Sequence, residues 1–432
     1  MRVLDLGMVW AGAMASKFLA DLGAEVVKVE GGSHPDSTRG SWPPTARIVY
    51  ADDDPGTDPW NRTSLYLERN RNKLSLVVDL RDQRGVQVVK ALAKVCDVVV
   101  ENFRAGVVDR LGIGYDSLRQ MRPDIIMISM SSQGMTGPEK SYGSFGNNLE
   151  QSGGLASFTG YRGGDPLSLG VQFPDPLAGG IAPGLVMAAL RYRRHTGKGL
   201  YIDLSQRELT TYSIGEAFMD YSMNRRIWEP MGNRDRYAAP QGCYRCRGDD
   251  RWLAITVQTD EQWAALCRVI GRLELAADPR YASAEGRQAH HDELDRLIGD
   301  WAATQDAHHA MQVLQQEGVP AGAALDGKNV LEDPHLVARD FWERVQQRSG
   351  GVRRHMRPPF LLSRTPAVTR SPAPRFGEHN RLILGELLGL PEAEVKSLEA
   401  EGVVEDVPRW AAEVPGLDYR PRQAPAQSPD VL

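Results

Sequence analysis

One carboxylate stands out by its setting. Asp175 lies in FPDPLAGG, residues 173–180, between two prolines and ahead of IAPGLVMAALRYRR, a run that reads as helix. An aspartate at a helix start commonly caps free N–H groups, and proline suits the first helical position because it has no N–H to lose. The same place suits a nucleophile, because the helix terminus favours an adjacent anion by about 0.3–1 kcal/mol. The octet alone leaves both roles open. Cations form a second set: Arg39 in a long loop, Lys73 in NRNKLSL, Arg104 in ENFR and Arg110 in VVDRLG. Each falls at or beyond the end of an expected strand, the edge where open parallel sheets bind ligands. Singly they read as surface charge; together they mark an edge able to hold phosphates. Cys243 and Cys246 form a C-x-x-C with no second pair or neighbouring histidines, so no metal is expected there and they read as strand residues of alternating facing. His290-His291 and His308-His309 read as solvated, since adjacent residues do not share a helix face.

These residues need a scaffold. Residues 2–30, RVLDLGMVWAGAMASKFLADLGAEVVKVE, run as an apolar stretch, a small-residue turn, an amphipathic helix and a second apolar stretch, which is a β-α-β unit. LSLVVDL, the helix RGVQVVKALAKV, CDVVVENF and IIMISMS continue the alternation, predicting α/β architecture with helices on both faces of a parallel sheet. Glu30 ends the second strand where a ribose-binding acid would stand, but the first turn reads GMVWAGAMA rather than G-x-G-x-x-G, so no NAD is expected. Between Glu30 and Tyr66 lies a Pro, Asp, Gly and Ser-rich loop whose length suggests function, and 141–173 is Gly-rich and aperiodic. HTGKG stops the helix after Asp175, and LYIDLS follows as a strand. From about residue 225 the texture shifts to a hairpin, GCYRCRGDDRWLAITV, and several short helices. The expected organisation is a Rossmann-like large domain over 1–215, a smaller α+β domain over 225–330, a return to the large domain over 331–415 that is loop-rich over 333–380 and then helical, and a disordered tail over 416–432.

Composition narrows the function classes. A net charge of −5 over 432 residues gives no global basic field for nucleic acid or an anionic membrane, so any phosphate must be held by local charge. No apolar run approaches the ~18 residues of a membrane span, and Met1 leads straight into VLDL without a leader pattern, so a cytoplasmic enzyme is expected. Four cysteines are too few for a disulfide framework in a chain of this length.

Several segments in order carry a resemblance: VLDLGMVWAGAMASKFLADLGAEVVKVE, NRNKLSLVVDL, DVVVENFRAGVVDRLGIGYDSL, GMTGP, PDPLAG, AALRYRRHTGKGLYIDLSQRE and GEHN. Together they resemble the class III CoA transferases, the family of carnitine CoA-transferase, bile-acid-inducible protein F and formyl-CoA transferase, from residue 1 to about residue 405. The resemblance implies an interlocked homodimer, coenzyme A or acyl-CoA as substrate, and a free carboxylic acid as the second partner. It implies transfer through an aspartyl anhydride and an aspartyl-CoA thioester, with Asp175 as nucleophile. It puts CoA contacts on Val9, Trp10, Ala11, Arg39, Asn72, Lys73, Asn102, Phe103, Arg104, Arg110 and the loop Ser131, Ser132, Gln133, Gly134. The acyl pocket falls on Phe145, Asn148 and Glu150, where an acid such as Glu150 suggests bulkier or dicarboxylic acyl groups. Trp10 departs from the polar residue that many relatives carry there.

Two rivals share the fold expectation. An α-methylacyl-CoA racemase would pair Asp175 with a histidine upstream, but no histidine lies between 130 and 175 and Phe145, which holds the expected position, carries no proton; Glu150 would have to serve as base. A catalytically inert CoA-binding protein would bind acyl-CoA without exchanging it.

Overall fold

The computed structural model describes residues 1–43 and 48–414; the expected tail lies outside them. The large unit is built on a six-stranded parallel sheet. Its strands are β1 (Arg2–Asp5), β2 (Glu25–Glu30), β3 (Lys73–Val77), β4 (Val98–Glu101), β5 (Ile126–Ser129) and β6 (Leu200–Asp203), in spatial order β3-β2-β1-β4-β5-β6. The strands are nearly continuous apolar runs because both faces are covered. Val3, Val26, Val98, Val100, Ile126 and Ile128 point to one face, and Leu4, Leu6, Val27, Val29, Leu76, Val99 and Met127 to the other. Helices α1 (Ala11–Asp21) and α4 (Pro174–Thr196) cover the first face; α2 (Gln83–Val95) covers the second, with the chain's later segment around Ile383, Val395 and Val403. Strand order reverses between β1 and β4, and the crevice beyond their carboxyl ends is where such a sheet binds ligands.

The packing of α1 on α4 sets the site. Ala11, Ala15, Ala178, Ala182 and Ala189 make the contact from small side chains. Gly179 has no room for anything larger: a Cβ there would lie 2.9 Å from Met14 Cβ and 3.0 Å from the Ala11 carbonyl oxygen. The helix expected after Asp175 in fact begins at Pro174 and contains it. Two short pieces in the expected aperiodic stretches are ordered: α3 (Gly146–Ser152), and an antiparallel hairpin, Trp342–Gln346 with Val352–Met356, within the expected loop-rich return.

The described residues form two compact units, one of 1–43, 48–155, 169–219 and 340–414 and the other of 156–168 with 220–339. Residues 156–168, expected in the large domain, thus belong to the second unit, where Phe158 packs edge-on against Trp228 at 5.6 Å. That unit has a three-stranded antiparallel sheet, Gln241–Arg245, Trp252–Thr256 and Ala321–Ala323, over a core including Leu253, Ile255, Leu266, Leu294 and Leu314. Its His291 corrects the expectation of a solvated side chain: the ring is buried and accepts the Gln241 N–H at 3.1 Å. Cys243 and Cys246 sit on or beside the first of these strands as free thiols.

Candidate active site

A cleft of about 470 Å³ opens at the switch point between β1 and β4. Asp175 lines it together with Met8, Val9, Asn102, Phe103 and Arg104 from the sheet edge and Ser132, Phe145 and Gln206 from the far side. A second cavity of about 410 Å³ runs over the ends of β1, β2 and β4, lined by His34, Arg81, Arg104, Val107 and Arg110. Met8, Phe103 and Arg104 line both, so the two adjoin along the sheet edge and are together called the track.

Asp175 is not a cap. The N-cap position of α4 is Phe173, and Asp175 stands in the first turn. The Ala11 backbone N–H at the start of α1 lies on the carboxylate's side and favours its charged form. Gly146, at the start of α3, closes the other side: a Cβ there would sit 2.7 Å from Asp175 Oδ2 and 2.4 Å from Gln172 Cβ. Burial pushes the Asp175 carboxyl up to about 6, against the Ala11 N–H, the Arg69 guanidinium and its own N–H, which pull it down. At neutral pH it is mostly ionised yet poorly solvated, which raises its nucleophilicity. Backbone approaches the carboxylate at Gly146 and from the Ala11 N–H.

The turn from β1 to α1 is built on buried charge. Gly7 and Gly12 pack backbone to backbone, and a Cβ on Gly12 would meet Gly7 Cα at 2.6 Å and Asn102 Oδ1 at 2.8 Å. Asn102 clamps the turn by accepting the Met8 N–H at 2.8 Å and donating to the Met8 carbonyl at 3.0 Å. Val9 adopts φ +63°, and its N–H reaches Asp36 at 3.2 Å. Beneath them Lys28 donates to the Gly7 carbonyl at 2.7 Å and to Asp36 at 3.0 Å. Lys73 donates to Asp5, the Ala13 carbonyl and Asn70 at 2.9–3.0 Å.

This floor corrects part of the expected CoA set. Arg39 is fully buried, paired with Glu30 at 2.8 Å and bonded to Asn61, the Trp60 carbonyl and Tyr66. Lys73 is equally buried, and Asn72 has its amide engaged by Asp21, the Val368 carbonyl and the Arg370 and Ser371 N–H groups. None has a donor left for a phosphate. They fold the turn rather than line the track. Arg104 and Arg110 are exposed, line the second cavity and carry no ion pair among the described residues. Arg81, which sequence reading passed over, joins them while holding Asp79 at 2.9 Å. Glu101 was also missed: it is buried, its carboxyl pushed up to about 7 by desolvation, and it accepts the Phe103 N–H at 2.8 Å, fixing the turn between the cavities.

The far wall is similarly sorted. Ser132 lines the cleft and its hydroxyl donates to the Tyr142 carbonyl at 3.1 Å. Ser131 is buried, Gln133 donates to Ser144 at 3.0 Å, and Gly134 takes φ +87° against Ser205. Phe145 lines the cleft and is 68% exposed. Asn148 accepts the Phe145 N–H at 3.2 Å and caps α3. Glu150 corrects the expected acyl pocket: it is fully buried and both its oxygens are used, one on the Leu169 N–H at 2.9 Å and the other on the Phe173 N–H at 3.0 Å. It ties down the strand of chain that delivers Asp175, and it is not placed to act as a base in the cleft. Trp10 stacks under the Arg69 guanidinium at 4.1 Å.

A model of CoA-transferase family III matches residues 1–380. The chain belongs to CoA-transferase family III. The transferase is 34% identical over 403 residues to the succinyl-CoA–D-citramalate CoA-transferase of Chloroflexus aurantiacus, covering 93% of this chain and 97% of that protein. It is 30% identical over 387 residues to the succinate–glutarate CoA-transferase of Agrobacterium fabrum, covering 89% and 94%. The crystal structure of a CAIB/BAIF family protein from Brucella suis superposes with a TM-score of 0.79 at 28% identity, covering 90% of the transferase and 98% of that chain. The transferase is therefore an enzyme that uses CoA thioesters, and no helix among its described residues is long and apolar enough to cross a membrane.

Proposed function

We propose that the protein moves CoA from an acyl-CoA donor to a free carboxylic acid, with Asp175 carrying the acyl and then the CoA group. The observation that carries this reading is the setting of Asp175: a half-desolvated carboxylate at the head of a cleft, facing a track that exposes unpaired arginines. Phosphates and the nucleotide of CoA lie along the second cavity against Arg81, Arg104 and Arg110, and the pantetheine arm passes Phe103 to reach Asp175.

The chemistry conserves the thioester bond. An Asp175 oxygen attacks the thioester carbonyl, the C–S bond breaks, and CoA leaves as thiolate, giving an acyl-aspartyl anhydride. The thiolate then attacks the aspartyl carbonyl, its bond to the bridging oxygen breaks, and the donor acid departs as carboxylate, leaving an aspartyl-CoA thioester. The acceptor carboxylate attacks that carbonyl and expels the thiolate. The thiolate finally attacks the acceptor's acyl carbon and frees Asp175. No net proton is consumed. The Ala11 N–H, which favours the charged carboxylate, is the donor proposed for the oxyanion that develops on the aspartyl carbonyl. Nucleotide contacts remote from the reacting carbons supply the binding energy that offsets anhydride formation.

The second substrate is a short dicarboxylic acid, supported by the citramalate and glutarate named for the two relatives. Phe145 in the cleft wall and the burial of Glu150 favour this reading over α-proton transfer. By resemblance to the family the working form is an interlocked homodimer. Incubation with a panel of acyl-CoA donors and free acids, followed by mass spectrometry of new thioesters, tests the assignment. New acyl-CoA species are expected from the wild type and none from Asp175→Ala, while sedimentation finds both as dimers. Solvent deuterium at the α-carbon of a 2-methylacyl-CoA, without transfer, overturns it.

A further inference from the structure

The second cavity ends on a histidine. His34, exposed, lines it beyond β2, and Arg81 lines it beyond β3. The spatial order β3-β2-β1-β4 puts these two at the end remote from Asp175, whose cleft opens between β1 and β4. Adjacent strands lie about 4.8 Å apart, so the spacings from β4 across to β3 span roughly 14 Å. A CoA that passes Phe103 with its thioester at Asp175 therefore lays its diphosphate toward Arg104 and Arg110 beyond β4. Its most distant part, the adenosine with its 3′-phosphate, reaches the β2–β3 end.

The turn that carries His34 is held without help from the ring. The His34 N–H donates to the Gly31 carbonyl at 3.1 Å, closing a four-residue turn, and the Gly32 carbonyl accepts the Arg409 N–H at 2.8 Å. Gly32 leaves no room for a side chain, since a Cβ there would lie 1.7 Å from Glu405 Oε2. Two residues on, the Asp36 N–H donates to Glu30 at 3.0 Å. The ring itself makes a single hydrogen bond: Nδ1 lies 2.9 Å from the Ser33 hydroxyl, and Nε2 has no partner among the described residues. The acids at this end are already answered, Asp79 by Arg81 and Arg409 at 2.9 Å each, Glu405 by Arg409 at 3.0 Å, and Glu30 by Arg39 at 2.8 Å. Burial, Arg81 and Arg409 hold the ring below the usual histidine range, against Asp79, so it is neutral at neutral pH while the cavity holds no anion. A phosphate monoester carries about −1.5 to −2 charge at pH 7 and three acceptor oxygens. Beside it the charged ring is the favoured form, so the ring takes up a proton as the phosphate arrives.

We propose that His34 binds the 3′-phosphate of CoA and makes the enzyme select CoA over dephospho-CoA, which lacks that group. The inference rests on the CoA-transfer reading.

Calorimetric titration of the full chain with CoA and with dephospho-CoA at neutral pH, in two buffers of different ionisation heat, reads affinity and proton uptake together. The wild type is expected to bind CoA more tightly than dephospho-CoA and to take up more proton with CoA. His34→Gln lowers CoA affinity by about tenfold, the low end for a hydrogen bond between charged groups, leaves dephospho-CoA affinity within about twofold, and abolishes the extra uptake. His34→Lys, permanently charged, keeps the preference for CoA without the uptake. Thermal melts establish that each variant is folded, and His34→Lys carries the test if His34→Gln is not. Equal weakening of both ligands overturns the proposal and leaves His34 as a wall of the cavity. A wild type that binds the two ligands alike, or a His34→Gln protein that keeps both the preference and the uptake, overturns it as well. Binding of neither ligand by the wild type overturns the CoA-transfer reading and this inference with it.

Discussion

Two regions on either side of the β1–α1 turn treat charge in opposite ways. Below the turn, Asp5, Lys28, Glu30, Asp36, Arg39 and Lys73 are all buried and linked through ion pairs and hydrogen bonds, and Asp36 is pulled down to about 2 by Lys28 and the Thr38 donors against the cost of burial. Above it, Asp175 is raised to about 6, and Arg69, Arg104 and Arg110 have no ion pair among the described residues. The contrast separates shape from access: paired charges hold the turn in place, while Asp175, Arg104 and Arg110 line the cavities.

The largest effect that would break this comparison is on the floor. Lys73→Met strands Asp5 in the interior, and is expected to cost about 3–5 kcal/mol of stability in denaturant unfolding. A mild loss would mean that the floor is not a structural network. On the side that delivers Asp175, Glu150→Gln keeps one acceptor but turns an NH₂ toward a backbone N–H, so the 169–173 segment shifts. We expect kcat to fall about 10- to 100-fold while CoA affinity, measured by calorimetry, holds. A change in affinity alone would place Glu150 in the binding track instead. Arg104→Ala, on the open side, raises KM for acyl-CoA by about tenfold and leaves the melting temperature where it was. The smallest effect concerns stability at Asp175. Its folded pKa lies above the ordinary 3.8, so the native protein holds a proton that the unfolded chain has released, and stability falls as pH rises from about 4 through about 6. Asp175→Asn removes that burden. Its melting temperature is expected to exceed the wild type's by about 2–4 °C at pH 8, with the difference closing toward pH 4.

Much of the scaffold was legible in the chain. The β-α-β alternation and its apolar runs predict a parallel sheet because strands covered on both faces have no polar side to show. The hairpin around Trp342–Gln346 was not legible, since its strands are short and half-exposed and mix Arg and Gln with Val. In the site, the sequence singled out Asp175 as a candidate and the structure places it in the cleft, but its neighbours there were not legible. Arg39, Lys73 and Arg104 all read as cations near strand ends. What separates them is whether a side chain folds back on an acid, and Glu30 lies nine residues from Arg39 through a loop with no periodicity to place it. Glu150 was misread for the same reason: an acid near the cleft and an acid gripping the backbone behind it have the same letter and the same neighbours.

The central claim is that Asp175 is the covalent relay. Wild-type protein mixed with succinyl-CoA, quenched with borohydride and digested tests it most directly. Reduction of an aspartyl-CoA thioester should leave a homoserine at Asp175 in the FPDPLAGG peptide, in proportion to the CoA bound. An unmodified Asp175 under conditions where CoA transfer proceeds, or a reduced carboxyl elsewhere, contradicts the account.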